Sequence, residues 1–455
     1  MASSRLLLSF VPSCAFLCFG CGLSLDFIGP APNTTADSGI DAEVGDGSVP
    51  DAAVTDVTTP DGPSDGGVAD GCIAEELCDG INNDCDNSID EDTLCNGVCF
   101  NGVCKLQLKE VSAGGGHSCG IDLDDRAVCW GKNHRGQIGN GEMDLISDPD
   151  YVISNGGPLS LDLIAAGSDF TCGALGGEVF CWGENNRGQL GSRIGFGALN
   201  PMRVPGLPTD GIETLVSGFE HSCALSNGRL YCWGSNVAGQ IPNPDGNATL
   251  MPVRLVSETG QPFRLASTGA GQTCAVRDER GLECWGVPAR HMGPSRLATI
   301  EAVASGRRHN CIQVSTNRSV LCWGDNDHGQ LGRMSGPGGP SLGLVPVDGA
   351  PQALAIEAGG DHTCLLTPSE ELYCWGDNRA GQVTPESLAA NFSSPVRVTP
   401  FGIRRFAAVS AGHDHTCAIA TEDRTVVCWG NSNDGRLGGP GQGMFVQVEG
   451  PQDVP

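Results

Sequence analysis

The chain has 455 residues, with 26 Lys and Arg against 54 Asp and Glu, and a formal net charge of −28 at pH 7. This balance offers no basic face to neutralise phosphates, so nucleic acids are not expected partners. The 23 cysteines are too many to stay idle in a reducing cytosol, and their placement should therefore indicate the compartment.

Residues 1–21 are predicted to be a signal peptide. Arg5 supplies a positive charge, and the apolar run from Leu6 to Phe19 is too short to span a membrane comfortably. The tripeptide Phe-Gly-Cys that ends at Cys21 resembles the processing box of bacterial lipoproteins, which implies lipidation of Cys21 and a membrane anchor. A plain cleaved signal peptide is the alternative. In both cases we expect an extracytoplasmic protein, either an outer-membrane or cell-surface lipoprotein or a secreted protein.

Residues 22–70 are predicted to form a disordered acidic linker. From residue 22 to residue 104 the chain carries 18 Asp and Glu and no Lys or Arg. A segment so acidic and so poor in aromatic residues cannot bury enough apolar surface to fold, and its own charge extends it. An acidic binding tail would look the same, and a spacer is the simpler interpretation.

Residues 71–104 are predicted to be a small module with six cysteines, at positions 72, 78, 85, 95, 99 and 104. A segment this short has almost no core, so disulfides, a metal ion or both would have to stabilise it. Asn82, Asp84 and Asp86 alternate and Asp90 follows, a spacing of oxygen ligands that suits Ca²⁺. The segment 76–91 resembles a short metal-binding motif of secreted bacterial proteins, myxobacterial ones in particular. The alternative is a disulfide knot whose acidic side chains are merely solvated.

Residues 105–455 contain seven copies of one unit. All seven Trp lie in the tripeptide Cys-Trp-Gly, and successive Trp are 52, 51, 52, 38, 52 and 54 residues apart. Upstream of each Trp stands Gly-x-x-(His/Phe/Gln)-(Ser/Thr/Asn)-Cys, and downstream stands Gly-x-Asn-x-x-Gly-Gln-(Leu/Ile)-Gly or a degraded form of it. Short β-prone pieces between glycine turns, repeated at this period without helical periodicity, predict an all-β fold, a seven-bladed β-propeller.

Each unit carries two cysteines that we expect to form one cross-strand disulfide. Asn227-Gly228 is typical of a two-residue hairpin turn, and pairing outward from it places Cys223 opposite Cys232, where the two strands come closest. Cys172 and Cys181 stand in the same relation, and the other five pairs need a slightly wider turn. Reduced cysteines that fill gaps in the core are the alternative. The expected pairs are Cys119–Cys129, Cys172–Cys181, Cys223–Cys232, Cys274–Cys284, Cys311–Cys322, Cys364–Cys374 and Cys417–Cys428.

The repeated pattern resembles the regulator of chromosome condensation repeat family, whose fold is a seven-bladed propeller. The resemblance covers about residues 106–455, and the fourth copy has lost its Gly-x-Asn-x-x-Gly loop, which accounts for the step of 38 residues. The kelch propeller has a similar period, but its paired glycines and its arrangement of Tyr and Trp differ from this pattern. The resemblance is specific for the fold and weak for the function, because propellers of one architecture serve unrelated tasks.

One slot of the repeat holds histidine in five copies. A histidine cluster would suggest a metal or acid–base site, but Phe170 and Gln272 fill this slot in the second and fourth copies. A propeller would also hold the slots apart around its ring, so we expect structural histidines that tie turns to the backbone. The sequence shows no nucleophile elbow, phosphate-binding loop or zincin motif, so we expect no catalytic residues and no cofactor in the propeller. The five histidines are His117, His221, His309, His362 and His415.

Loop positions that vary between copies are the candidates for binding, because loops on a rigid scaffold carry recognition. Arg and exposed aromatic residues at such positions are the usual anchors of protein interfaces, although loop variation without function looks the same in one sequence. The candidates after the repeated Gly are Asp169, Phe219, Glu220, Arg307, Arg308, Asp361, His413 and Asp414. Those within Asn-x-x-Gly are Arg135, Arg187, His328 and Arg379.

The favoured hypothesis is a surface-tethered, non-enzymatic binding module whose rim loops bind an extracellular protein or glycan. A propeller-based extracellular hydrolase or lyase is an alternative that needs acidic groups or histidines to converge on one rim. Guanine nucleotide exchange, the founding activity of the family that the pattern resembles, requires the cytosol or nucleus and a small GTPase. The export signal and the paired cysteines disfavour it.

Overall fold

The computed structural model describes residues 97–100, 103–193, 195–243, 248–256, 260–277, 281–287, 299–333, 341–439 and 445–450. The predicted signal peptide with Cys21, the acidic linker and the candidate calcium ligands at positions 82–90 lie outside the described residues. A hairpin of β1 (Gly97–Phe100) and β2 (Val103–Leu106) precedes the propeller, and its backbone register places Cys99 opposite Cys104.

Blades 1 to 3 are antiparallel sheets in which strands adjacent in sequence are adjacent in the sheet. This meander arises because each unit carries four β-prone pieces separated by tight turns, and it is the arrangement predicted from the repeat. Blade 1 contains β3 (Leu108–Ala113), β4 (His117–Asp122), β5 (Ala127–Lys132) and β6 (Ile146–Tyr151), and a small hairpin of β7 (Ile153–Ser154) and β8 (Gly157–Pro158) follows it. Blade 2 contains β9 (Leu163–Ala166), β10 (Phe170–Leu175), β11 (Glu178–Glu184) and β12 (Gly197–Arg203). Blade 3 contains β13 (Thr214–Ser217), β14 (His221–Ser226), β15 (Arg229–Gly234) and β16 (Thr249–Leu255).

Blades 4 to 7 repeat this arrangement, with three described strands in blade 4. The segment that would supply the fourth strand of blade 4, residues 288–298, lies outside the described residues. Blade 4 contains β17 (Phe263–Thr268), β18 (Gln272–Arg277) and β19 (Gly281–Gly286), and blade 5 contains β20 (Ile300–Ser305), β21 (His309–Val314), β22 (Ser319–Gly324) and β23 (Ser341–Pro346). Blade 6 contains β24 (Ala355–Ala358), β25 (His362–Leu366), β26 (Leu372–Asp377) and β27 (Asn391–Val398), and blade 7 contains β28 (Phe406–Ala411), β29 (His415–Ala420), β30 (Val426–Gly430) and β31 (Phe445–Gln447).

The helical content of the described residues is three single 3-10 turns, Thr316–Arg318, Pro400–Gly402 and Asn433–Gly435. None of these turns approaches the length or apolar character that a bilayer-crossing helix needs.

The hydrophobic core lies between the blades. It consists of seven clusters, each of which contains one Trp of the repeat. Trp182 of blade 2, for example, packs with Ile121, Ile138 and Val152 of blade 1. The repeated Trp is therefore the residue that packs each blade on its predecessor, and its large buried surface makes it the main apolar contribution to that contact.

A disulfide joins the second and third strands of every blade. Asn227 and Gly228 have φ of 47° and 71°, the left-handed values of a type I′ turn, and the register places Cys223 opposite Cys232. In the three hairpins with one more residue between the cysteines, the register also pairs the two cysteines directly. All fourteen cysteines of these disulfides are buried, and the seven pairs are those predicted from the sequence.

The ring closes through backbone contacts between the segment before blade 1 and the outer part of blade 7. The amide of Leu106 donates to Val448 O (2.9 Å), and the amide of Leu108 donates to Arg424 O (3.1 Å). The Arg424 guanidinium donates in return to Leu108 O (3.0 Å) and Lys109 O (2.8 Å). We call these contacts the clasp, and they connect the two ends of the repeat array.

Candidate binding face and central channel

Both sets of candidate binding loops lie at the same end of the propeller. Strands alternate in direction within a blade, so the loop after the first strand and the loop after the third strand emerge together, while the hairpin between the second and third strands lies at the opposite end. Backbone bonds join the two loops, as where Glu184 N donates to Asp169 O (2.9 Å). We call the two ends the glycine face and the hairpin face.

The repeated Gly forms a ring at the centre of the glycine face. In each blade the amide that follows this Gly donates to the neighbouring blade, and in five blades the acceptor is the repeated Gly of that neighbour. His413 N closes the circle by donating to Gly114 O (3.0 Å). A Cβ atom on Gly269 would overlap Gly306 O, so only glycine allows the backbones to approach this closely. The ring comprises Gly114, Gly167, Gly218, Gly269, Gly306, Gly359 and Gly412.

Two candidate residues cover this ring. The rings of Phe219 in blade 3 and His413 in blade 7 meet edge to face across it, with centroids 4.9 Å apart. Both line a cavity of about 60 Å³ at the level of the glycines. They therefore narrow the central channel at the glycine face.

The slot histidines connect adjacent blades. His117 Nε2 lies 2.8 Å from Thr171 Oγ1 of blade 2, and that hydroxyl donates to Gln137 O of blade 1 (2.9 Å), which also accepts from Trp182 Nε1 (2.9 Å). Because the Thr171 hydroxyl donates its only proton to the Gln137 carbonyl, His117 Nε2 must be the donor in its hydrogen bond with Thr171. The partner is thus a side-chain hydroxyl of the next blade, whereas the sequence pattern predicted a tie to backbone.

Four further histidines repeat this contact with Thr273, Thr363, Thr416 and Ser118. Burial disfavours the charged imidazolium and lowers the pKa of His117 to about 4 and that of His309 to about 3. These histidines are neutral at pH 7, and each lies in a different blade. In the described ranges no three metal-binding side chains come together.

The Asn and Gln of the downstream motif hold their own loop. In blade 2, Asn185 Oδ1 accepts from Leu190 N (3.0 Å) and Gln189 Oε1 accepts from Arg187 N (2.7 Å). The same pair of contacts occurs in blades 1, 3, 5 and 6. The motif is therefore structural, and the residues between Asn and Gly are the ones it presents to solvent.

Several candidates of the first set fasten the blades to each other. Asp169 accepts from Lys132 Nζ (3.0 Å) of blade 1, and Arg307 forms an ion pair with the buried Asp361 of blade 6. A hydrogen bond from His413 (3.2 Å) is the main cause that lowers the pKa of Asp414 to about 2. These side chains are partly or fully used within the propeller.

Other candidates of the first set are open to a partner. Arg308 pairs with Asp325 (2.8 Å) but remains 60% exposed. Glu220 is partly exposed, and its carboxylate has no hydrogen-bond or ion-pair partner among the described residues.

The second set consists of three exposed arginines and the partly exposed His328. Arg135 lies 3.5 Å from Glu184 of the next blade, while Arg379 pairs with Asp377 (2.8 Å) and lies 3.3 Å from His328. Arg187 is exposed, and its guanidinium has no ion-pair partner in the part of the chain that the structure describes. Arg187 is therefore the cation of this set that is freest to bind a partner.

Sequence reasoning missed an arc of exposed apolar side chains around blades 1 to 4. Leu199 covers Gly136 and Leu250 covers Gly188, which places both beside the downstream-motif loops of the glycine face. Phe196 and Leu145 are 89% and 81% exposed, although the backbone carbonyl of each accepts a hydrogen bond from a loop amide. Their identity varies from copy to copy, so no motif indicates them. The apolar arc comprises Met143, Leu145, Phe196, Leu199, Val237, Leu250 and Val287.

A rigid ring of blades that presents variable polar and apolar loops on one face defines a binding scaffold of the β-propeller class. The chain belongs to the regulator of chromosome condensation (RCC1) repeat family. One model of this repeat matches residues 108–137, 212–240, 300–330, 354–382 and 406–436, and a second matches residues 176–225, 227–276, 319–366 and 369–419, together more than half of the chain.

Known proteins with this repeat are similar over most of the propeller. The ultraviolet-B receptor UVR8 of Arabidopsis thaliana is 28% identical over 352 residues, which cover 72% of this chain and 78% of the receptor. The structure of human WBSCR16 is 20% identical with a TM-score of 0.61, covering 69% of this chain and 87% of that one. Prp20p of Saccharomyces cerevisiae, a protein that binds Gsp1p and histones, is 20% identical with a TM-score of 0.59, covering 69% and 83%. The two structures show the shared fold.

Proposed function

We propose that this chain is an exported, surface-tethered binding module that captures an extracellular protein with its glycine face. The observation that carries the proposal is the concentration on that face of side chains that the propeller does not use itself. Arg187, Glu220 and the apolar arc all lie there, while the positions that recur in each copy's loops form bonds within the loop or to the neighbouring blade.

The chemistry of this surface favours a protein over a glycan. Exposed Phe, Leu and Met beside Arg are typical of protein interfaces, in which a few apolar and Arg anchors supply most of the binding energy. Large apolar side chains exposed together on a protein surface usually mark such an interaction site. Prp20p, which shares the fold, binds proteins.

The disulfides support export. Fourteen cysteines paired in seven buried bonds are expected of a protein that folds in an oxidising compartment. With the predicted signal peptide, they argue against a guanine nucleotide exchange role in the cytosol. Membrane tethering depends on lipidation of Cys21, which mass spectrometry of the mature N-terminus tests.

The experiment that tests this function compares binding by the intact chain and by variants of its two faces. Partners are captured from envelope and secreted fractions, identified, purified and titrated. Arg187→Glu and Phe196→Asp should each weaken the affinity at least tenfold.

The matched control is Arg229→Glu, an exposed arginine on the hairpin face. It should leave the affinity unchanged. Equal losses in all three variants, or loss with Arg229→Glu alone, would contradict binding by the glycine face. The absence of any protein that binds the purified chain would overturn the proposed function.

A further inference from the structure

The central channel contains two carboxyl groups that the proposed binding face does not use. Glu110 of β3 stands four residues before Gly114, and Glu357 of β24 stands two residues before Gly359. Both line a cavity of about 280 Å³ enclosed by the innermost strands of the blades. Since a strand rises about 3.3 Å per residue, the two positions differ in depth by about 7 Å.

The surroundings leave these carboxyls without a counter-charge. The residues that line the cavity include no Lys, Arg or His. Glu110 Oε1 receives one long hydrogen bond from Ile164 N (3.5 Å), and the Glu357 carboxyl has no hydrogen-bond partner among the described residues. Burial raises the pKa of both groups to about 7. A carboxylate that is removed from water without a counter-charge is costly, and a bound cation would remove that cost.

The wall beside Glu357 combines hydroxyl and apolar side chains. At the level of Glu357 the other blades supply three serines and three small apolar side chains, namely Ser112, Ser267, Ser410, Ala165, Val216 and Ala304. Hydroxyls can accept from a cationic N–H group, while the apolar side chains suit methylene groups. No third carboxylate or imidazole completes a metal site in the described part of the wall.

We propose that the channel binds a small organic ammonium ion, a primary amine or diamine, with its cationic groups on Glu110 and Glu357 and its methylene groups against Ala165, Val216 and Ala304. The glycine ring, covered by Phe219 and His413, narrows the channel, so the ligand enters from the hairpin face. This site is independent of the glycine-face surface.

The test is calorimetric titration of the full chain at pH 8 with 1,4-diaminobutane, alongside a rise in melting temperature. Glu110→Gln and Glu357→Gln should each weaken binding at least tenfold, while Glu213→Gln, an exposed glutamate, should not. The acidic residues before the propeller are the same in every variant, so weak binding to them cancels in the comparison. Thermal unfolding of each variant verifies that it is folded.

Two further measurements separate the outcomes. At pH 5, where both carboxyls hold protons, the affinity for 1,4-diaminobutane should fall at least tenfold. Neutral 1,4-butanediol should not bind. Binding that survives both Gln substitutions, binding of the diol, or binding of Mg²⁺ in place of the diamine would each overturn the proposal.

Discussion

The hydroxyl of Thr363 joins blades 5 and 6 through two hydrogen bonds. It accepts from His309 Nε2 (2.9 Å) and donates to Gln330 O (3.0 Å), which also accepts from Trp375 Nε1. Thr363→Val keeps the shape of the side chain but leaves the imidazole N–H without an acceptor. We expect the free energy of unfolding to fall by about 1–3 kcal/mol. Urea unfolding followed by tryptophan fluorescence measures it.

Thr209→Val is the control for this substitution, because Thr209 is exposed in the connection between blades 2 and 3. It should change the free energy of unfolding by less than about 0.5 kcal/mol. Equal losses in the two variants would show that the hydroxyl of Thr363 does not link the blades.

For individual residues, the sequence predicted that the slot histidines are structural, but it did not predict their hydrogen-bond partners. Their recurrence, interrupted by Phe170 and Gln272, indicated structure, and the buried geometry agrees. The partner hydroxyl belongs to the next copy, so only the docking of two blades identifies it. The signal was nevertheless present for four of the five slot histidines, because each of the four is followed one copy later by Thr before the first Cys.

At the level of secondary-structure elements, we expect the hairpin of the second and third strands in each blade to depend on its disulfide for stability. Cys223 and Cys232 close a loop of about ten residues, and the double variant Cys223→Ala/Cys232→Ala restores the entropy of that loop to the unfolded chain. We expect a loss of about 2–3 kcal/mol in the free energy of unfolding, measured by urea denaturation. Wild-type protein unfolded in urea without reductant should show none of the fourteen propeller thiols in a thiol titration, and reactive propeller thiols would contradict the pairing.

Blade 4 should be the least stable blade. The fourth copy has lost the Gly-x-Asn-x-x-Gly loop, whose backbone carbonyl in other copies accepts a hydrogen bond from the Trp indole of the next blade. The indole N–H of Trp323 in blade 5 accordingly has no hydrogen-bond partner among the described residues. Blade 4 also buries the ion pair of Arg277 and Glu283 (2.9 Å), which is expensive to desolvate. Native-state hydrogen exchange should show β17–β19 exchanging faster than β9–β12 of blade 2. Equal protection in both blades would contradict this ranking.

The elements themselves were largely predictable. The Asn227-Gly228 turn determines the hairpin register by counting, and six further copies reproduce it. The apolar arc was not predictable, because residues such as Phe196 and Leu250 stand at variable positions whose exposure depends on how one blade overlaps the next.

For the molecule as a whole, the clasp is one of the described contacts that join the two ends of the repeat array. Arg424→Ala removes two hydrogen bonds, to Leu108 O and Lys109 O, and should lower the free energy of unfolding by about 1–2 kcal/mol. Arg405→Ala is the control, since that arginine is exposed. Thermal unfolding of both variants measures the difference. A midpoint for Arg424→Ala that matches the control would argue against a role in closure.

Ring closure also explains why the channel carboxyls could not be read from the sequence. Glu110 and Glu357 are 247 positions apart, occupy different slots of their copies and belong to no motif. Only the circular arrangement of the first strands places them in one cavity.

The dependence of stability on pH combines two opposing sets of buried groups. Burial lowers the pKa of His117, His221 and His362 from 6.5 to about 4, so the unfolded chain binds more protons than the folded one between those values. Their contribution is complete above pH 6.5 and is lost as the pH falls towards 4. Glu110 and Glu357, with pKa raised from 4.5 to about 7, act in the opposite sense, and stability is lost as the pH rises from 4.5 to 7.

Because five histidines oppose two carboxyls, the net free energy of unfolding should rise between pH 4 and pH 6.5. Glu357→Gln removes one opposing group, so it should stabilise the protein by about 1–3 kcal/mol at pH 8 and by less than about 1 kcal/mol at pH 5. Urea unfolding at the two pH values measures this difference, with Glu213→Gln as the control that shows none. A gain that is equal at pH 5 and pH 8 would mean that the Glu357 carboxyl is ionised at both, and that water in the channel solvates it as well as bulk solvent does.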